Sequence, residues 1–248
     1  MDSQTPQSAQ ALTESLDAHQ VVLLAVATLA ELRESDTESH ILRVQHYVRA
    51  LAEKLQSRPA YASTLSAAYI NQLCACVPMY DLGSVGVPDR ILLKPGRLTP
   101  DEIAIMRTHT TQGYEALVRA EKTLHKTSPL LTLAKELALS HHEKWDSTGY
   151  PQGLFGEQIP LSARIVALAD VYDALISNKI FKDGIPHDKA MQVIFCERGT
   201  HFDPDMVDAF VEIHADFQTI AQRFGDTDAD MQNKIEYMAN AIAEIAEL

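Results

Sequence analysis

Apolar residues recur every three or four positions along most of the chain, the spacing that places them on one face of an α-helix. The run before a pair of adjacent histidines shows it best, with Leu130, Leu133, Ala134, Leu137 and Ala138 on one side. No long segment alternates apolar and polar residues as a half-buried strand would. The pattern predicts an all-α fold with helices over residues 9–34, 41–55, 63–79, 129–139, 162–177, 187–198, 204–224 and 229–248.

One further helix is predicted from its first residues. Thr99 is followed by Pro100 and, three positions on, by Glu102. This is a capping box with proline at the first helical position, so a helix should begin there. His109 would lie on its apolar face.

The stretch 140–151 concentrates chemically active side chains. His141 and His142 follow the apolar run, and counting back one turn places both on the packed side of that helix. Gly149 and Pro151 then open a loop of the kind that closes over a ligand. Histidines that only bond the last carbonyls of a helix would explain the pair equally well, so both interpretations stay open here.

Two acids interrupt the most apolar predicted helix, residues 162–177. Asp170 and Asp173 are three positions apart and therefore share a face. Buried carboxylates are unfavourable unless they are paired, hydrogen-bonded or bound to metal. We expect a partner for each.

Composition narrows the class of protein. A net charge of −13 over 248 residues argues against binding to DNA or RNA polymers, which needs a basic face. Three cysteines without C-x-x-C spacing are typical of a reducing cytoplasm. The longest apolar run is too short to span a bilayer, and the first residues lack a basic signal-peptide region. We therefore expect a cytoplasmic protein.

Histidines and acids stand at the ends of, or inside, separate predicted helices. Imidazole nitrogen and carboxylate oxygen together suit iron, manganese, nickel or zinc, and a carboxylate shared by two ions gives a two-metal hydrolytic site. A core histidine or a capped acid is the simpler explanation for any one of them alone. The candidates are His40, Asp81, His109, His141, His142 and Asp170.

These residues belong to an ordered series of motifs over roughly residues 30–225: His40 with Arg43, Asp81-x-Gly83-x-x-Gly86-x-Pro88, His109 with Gly113, His141-His142-Glu143-x-x-Asp146-x-x-Gly149-Tyr150-Pro151, Asp170-x-x-Asp173-Ala174-Leu175 and Phe202-Asp203-Pro204. The series resembles an HD-GYP domain, a branch of the HD superfamily of metal-dependent phosphohydrolases. The resemblance implies a helical bundle around two or three divalent metal ions, with iron, manganese or nickel expected. It also implies hydrolysis of cyclic di-GMP by a metal-activated hydroxide.

Carried over position by position, the resemblance implies metal ligation by His40, Asp81, His109, His141, His142 and Asp170, with Asp81 as the bridging carboxylate. Asp36 stands where some members use glutamate for an additional metal. Lys179 and Lys182 match a basic pair that holds substrate phosphates. The loop Gly149-Tyr150-Pro151 is associated with substrate access and with contacts to diguanylate cyclase (GGDEF) domains.

Two departures from the family pattern touch the catalytic positions. Tyr80 replaces the histidine of the His-Asp pair, and Ser84 replaces a lysine three residues after Asp81. The first change removes an imidazole ligand, and the second removes a cation beside an anionic centre. Ser147, where glycine is usual, would be strained if its φ were positive.

Three functions follow from these observations. The first is a cyclic di-GMP phosphodiesterase with reduced activity, acting in signal transduction of the two-component type. The second is a catalytically inactive module that binds cyclic di-GMP or a protein partner. The third is a phosphohydrolase acting on another nucleotide, which the intact Gly-Tyr-Pro loop disfavours. We expect residues 1–34 to form a tail and a connector helix that is a candidate for homodimerisation, residues 35–225 the HD-GYP domain, and residues 226–248 a C-terminal helix.

Overall fold

The computed structural model describes residues 39–178 and 183–246, together with residues 25, 26, 28, 30 and 33. These residues form α-helices and short 3₁₀ helices, and the β-type contacts among them are two isolated bridges, Asp146 with Phe155 and Arg198 with Phe202. The all-α prediction is confirmed. No helix of the described part is both long and apolar enough to cross a bilayer.

The α-helices, numbered in chain order, are α1 His40–Gln56, α2 Ala67–Cys76, α3 Asp89–Leu92, α4 Pro100–Leu124, α5 Pro129–Ser140, α6 Leu161–Ile176, α7 His187–Cys196, α8 Pro204–Arg223 and α9 Asp228–Ala246. The 3₁₀ helices are Val77–Met79, Leu82–Gly86 and Gly156–Gln158. Most bounds agree with the sequence prediction to within a few residues.

The predicted and observed helix starts agree most closely where a capping residue marks the start. Thr99 and Glu102 form the expected reciprocal bonds, Glu102 N to Thr99 Oγ1 at 3.3 Å and Thr99 N to Glu102 Oε2 at 2.7 Å. The predicted helix over residues 63–79 is shorter than expected. It begins only after Ser66, whose hydroxyl accepts from Tyr69 N, and the α-helix gives way at Cys76 to a 3₁₀ turn that contains Pro78.

Three buried aromatic side chains pack together and fix the relative positions of the helices that carry candidate site residues. Tyr47 on α1 stacks on Phe217 of α8 with ring centroids 4.7 Å apart, and it meets Tyr172 of α6 edge to face at 5.2 Å. All three side chains are fully buried. Because α1 and α6 also carry His40 and Asp170, this packing fixes the two residues relative to each other.

Some predictions about the chain ends lie outside the described residues. These are most of the helix over residues 9–34 with its dimerisation role, and Asp36 as an extra ligand. The division into residues 1–34, 35–225 and 226–248 also stays a prediction. The expected C-terminal helix is present as α9, which contacts α3 and buries Met238.

Candidate metal centre

Four of the six candidate ligands converge. Asp81 lies between two 3₁₀ helices, His109 lies on α4, and His141 and His142 directly follow α5. One ligand atom from each lies within 4.8 Å of all the others. Asp81 Oδ1 is 3.2 Å from His109 Nε2 and 3.3 Å from His141 Nε2, and the two Nε2 atoms are 3.4 Å apart. We call these four residues the ligand cluster.

A glycine permits the turn that carries Asp81 to approach α4. A Cβ atom at Gly83 would lie 1.9 Å from the carbonyl oxygen of His109 and 2.5 Å from Gly113 N. Neither atom can move without breaking the helix, so only glycine fits at this position. The Asp81 turn and α4 therefore depend on the Gly83 contact for their spacing.

The backbone orients two of the imidazoles. His109 Nδ1 donates to Met106 O at 2.7 Å, and His141 Nδ1 donates to Leu137 O at 2.8 Å. A neutral histidine that donates through Nδ1 keeps its Nε2 lone pair, and such an outer hydrogen bond is the usual arrangement for a metal-binding histidine. Both Nε2 atoms thus face Asp81 and are the atoms available for a metal.

The charges of the cluster suit metal binding as well. Burial lowers the pKa of His109, and burial together with the charge of His141 lowers the pKa of His142 well below its ordinary value. Burial would also lower the pKa of His141, but its hydrogen bond to Asp81 and the charge of Asp81 raise it. Burial opposes ionisation of Asp81, yet His141 and the other histidines hold the pKa of Asp81 below its usual value. Neutral imidazoles and an ionised carboxylate are the metal-binding forms, so the shifts of Asp81, His109 and His142 favour metal binding, whereas His141 would have to release a proton to bind an ion.

Three imidazoles and one carboxylate form a donor set that suits a divalent transition metal. The cluster combines buried and half-buried residues, so an ion there could contact both protein and substrate. The donor types and the orientation of the Nε2 atoms therefore fit the metal that the sequence predicts.

The other two candidates, His40 and Asp170, belong to a neighbouring group built around Tyr80. The Tyr80 hydroxyl lies 2.7 Å from His40 Nε2 and donates to Asp170 Oδ1 at 2.8 Å. His40 Nε2 and Asp170 Oδ1 are themselves 3.7 Å apart. The Tyr80 ring is buried and meets the ring of His141 edge to face at 5.0 Å. Tyr80 thus joins His40 and Asp170 in a hydrogen-bonded group beside the ligand cluster.

Asp173, the second acid of α6, has the partners that its burial requires. Its carboxylate accepts from His40 Nδ1 at 2.8 Å, from Arg43 Nε at 2.7 Å and from Ser177 Oγ at 3.1 Å. Burial alone would raise the pKa of Asp173, but the hydrogen bonds and charges of His40 and Arg43 lower it to about 2. Asp173 therefore anchors His40 as an ionised carboxylate.

The substituted position Ser84 is buried, and its hydroxyl has no hydrogen-bond partner among the described residues. A serine therefore supplies neither the length nor the charge of the lysine usual there. Lys179 and Lys182 lie outside the described residues, so their predicted contacts to substrate phosphates stay predictions.

The Gly-Tyr-Pro loop is tied to the cluster from two sides. The buried carboxylate of Glu143 accepts from Gln152 N at 2.7 Å and from Leu154 N at 2.9 Å, which holds the loop after Pro151. The Tyr150 ring stacks on His142 with centroids 4.8 Å apart. Ser147 does have a positive φ, 71°, the strained conformation considered for it.

Sequence reasoning overlooked Arg107. Its exposed guanidinium lies 4.7 Å from the centroid of the Tyr150 ring, on α4 two residues before His109. The contact arises only when the loop folds back over α4, so periodicity along either segment could not show it. Arg107 brings a positive charge to the edge of the cluster.

Comparison with known proteins agrees with this geometry. Residues 25–206 match the model of the HD domain family. Two proteins of Vibrio cholerae, named "Probable cyclic di-GMP phosphodiesterase" and "Cyclic di-GMP phosphodiesterase", are 49% identical over 210 residues and 50% identical over 206 residues. These matches cover 85% and 83% of this chain but 48% and 42% of the relatives, so the chain spans just under half of their length.

A solved structure shares the fold. A Vibrio cholerae protein described as a cyclic GMP-AMP specific phosphodiesterase matches with a TM-score of 0.51 at 17% identity, over 91% of this chain and 59% of that one. The family match, the helical fold and the ordered motifs agree, and the chain belongs to the HD domain family.

Proposed function

We propose that this chain hydrolyses a phosphodiester bond of cyclic di-GMP, using a divalent metal held by Asp81, His109, His141 and His142. The observation that supports this most is the cluster itself, in which two Nε2 atoms face one carboxylate oxygen at 3.2 and 3.3 Å. The names of the two Vibrio cholerae relatives support the substrate.

The reaction needs a water oxygen to form a bond to phosphorus while one ribose oxygen leaves and takes up a proton. A divalent ion at the cluster supplies Lewis acidity and lowers the pKa of water. The protein contributes the position of the reacting groups: the outer hydrogen bonds of His109 and His141 keep the cluster preorganised. Tyr150 covers His142 and shields that side of the cluster from bulk water.

Binding this substrate requires positive charge near the cluster. Cyclic di-GMP carries two negative phosphates, and the chain itself has a net charge of −13. We propose Arg107 as a phosphate contact, since it lies against Tyr150 beside the cluster. An arginine can bind a phosphate through two parallel hydrogen bonds. Lys179 and Lys182 remain proposed for the second phosphate.

Iron, manganese or nickel is proposed as the metal, because imidazole and carboxylate ligands suit all three. The Gly149-Tyr150-Pro151 loop is proposed to contact GGDEF domains in signalling, with Tyr150 and Pro151 half-buried or exposed at the surface.

A second candidate function is a non-catalytic cyclic di-GMP-binding module. The observation that favours it is Tyr80, whose hydroxyl contacts His40 and Asp170, two residues that the family pattern assigns to metal. Binding through Arg107 and the loop would survive in such a module.

Assays on the 248-residue chain distinguish the two. The protein is stripped of metal, reloaded with Mn²⁺ or Fe²⁺ under anaerobic conditions, and incubated with cyclic di-GMP, with products separated by liquid chromatography. Catalysis predicts a linear product that is absent with H141A, a variant that loses a cluster ligand. Tight binding by calorimetry with no product under either metal would contradict the enzyme and support the binding module. The matched control is H46A, because His46 stacks on Phe224 and contacts no cluster residue among the described ones.

A further inference from the structure

We infer that the hydroxyl of Tyr80 fills the position where a second metal would lie, so that this chain holds one metal ion, at the ligand cluster. The inference rests on the proposed function, because it assumes that the cluster binds a metal. The sequence predicts that His40 and Asp170 bind metal together with the cluster residues. We infer instead that these two residues bind the Tyr80 hydroxyl and no metal.

The spacing of His40 and Asp170 would suit an ion. Their facing atoms, His40 Nε2 and Asp170 Oδ1, are 3.7 Å apart. Ligands that each lie ~2.1 Å from one ion are roughly 3 to 4 Å apart, so these atoms could share one. The Tyr80 hydroxyl lies against this pair on one side, 2.7 Å from one atom and 2.8 Å from the other. An ion that binds both atoms from that side would overlap the hydroxyl oxygen.

His40 is also fully engaged. Its Nε2 contacts Tyr80, and its Nδ1 donates to Asp173 Oδ2 at 2.8 Å. Asp173 is in turn held by Arg43, which also contacts Asp226 at 3.1 Å. An ion bound through Nε2 would replace the contact of His40 with Tyr80, whereas the Nδ1 bond to the buried Asp173 could remain.

Tyr80 has no simple way out of this position. Its side chain is 2% exposed and packs within the main hydrophobic core. Its ring also contacts His141 at 5.0 Å between centroids, which places the phenol against the cluster. Moving the ring into solvent would expose the large apolar surface of an aromatic side chain, which is unfavourable.

The test is the number of metal ions per chain, measured by inductively coupled plasma mass spectrometry after loading with Mn²⁺ and desalting. The wild type should retain about one ion, and Y80H, which offers an imidazole in place of the hydroxyl, should retain about two. Electron paramagnetic resonance gives a readout independent of activity: an isolated Mn²⁺ in the wild type and a spin-coupled pair in Y80H.

Two further variants keep the test decisive if Y80H folds poorly. D170N should leave the wild-type content at about one ion, because Asp170 contacts Tyr80 rather than a metal. Y80F should also stay at about one ion, because it removes the hydroxyl without adding a ligand and leaves His40 and Asp170 with no third protein ligand beside them. Thermal melts of each variant show whether it is folded.

Two ions in the wild type, loss of the ion in D170N, or a single ion in well-folded Y80H would each overturn the inference. A wild type that holds no ion, under conditions where it is folded, would instead reject the metal centre of the proposed function. The two failures therefore give different results.

Discussion

Replacing Asp173 with asparagine perturbs the network that holds His40, and its effect on stability can be worked out from the structure. The Asp173 side chain is 1% exposed and faces Arg43, which is 3% exposed. Removing one partner of a buried ion pair destabilises a protein by about 3–5 kcal/mol. Arg43 keeps Asp226 as a partner, so we expect the lower end, about 3 kcal/mol.

The pKa of Asp173 gives a second value for the stability that its carboxylate contributes. It falls from 3.8 to about 2 in the folded protein, and at about 1.4 kcal/mol per pKa unit this shift corresponds to about 2–3 kcal/mol. Because the folded pKa lies below the unfolded one, this stabilisation is complete above about pH 4 and is lost as the pH falls through about 2. The difference between D173N and the wild type should therefore shrink on acidification.

Urea denaturation of the metal-free proteins, followed by circular dichroism, measures both effects. D208N is the matched control, because Asp208 pairs with Arg198 at the surface, where the side chains are 43% and 41% exposed. It should lose about 0–1 kcal/mol. If D173N lost no more stability than D208N, or if its deficit did not depend on pH, the buried network would not stabilise the fold as argued.

Three further substitutions test the Gly-Tyr-Pro loop, the proposed contact of Arg107 with substrate, and the close approach of Gly83 to α4. E143A removes the acceptor of two loop amides, so limited proteolysis should cut the Gly-Tyr-Pro loop faster, with a stability loss of about 1–3 kcal/mol; unchanged cleavage would contradict this. R107A should weaken cyclic di-GMP binding by roughly 10- to 150-fold, measured by calorimetry, because it removes a charge-assisted contact of about 1.5–3 kcal/mol. R90A, which removes another exposed arginine, should bind normally. G83A places a Cβ 1.9 Å from His109 O, so it should lower both the melting temperature and the metal content. A melting temperature equal to that of the wild type would refute the close contact between Gly83 and α4.

The helices could be predicted because local signals set their bounds. The capping box at Thr99 and Glu102, and Asp203 before Pro204, mark helix starts that the structure reproduces. The predicted start of α2 lies a few residues too early, because the Ser66 side chain caps the helix by accepting from Tyr69 N. The two acids of α6 were expected to need partners, and both have them.

The site could be predicted only in part. The motif order pointed to six ligand positions, and the structure brings four of them together. It also places Tyr80 between the other two, His40 and Asp170. A sequence shows that an imidazole has been replaced by a phenol, but not where the hydroxyl points, because that depends on packing between α1, α6 and the turn before Asp81. The Arg107 contact with Tyr150 was missed for the same reason.

The position of bound metal tests the account most directly. Crystals of the Mn²⁺-loaded chain, measured at the manganese absorption edge, would locate every ion by anomalous scattering. We predict one strong peak ~2.0–2.3 Å from Nε2 of His109 and of His141 and from a carboxylate oxygen of Asp81. A peak between His40 and Asp170, or the lack of a peak at the cluster in metal-loaded crystals, would contradict it.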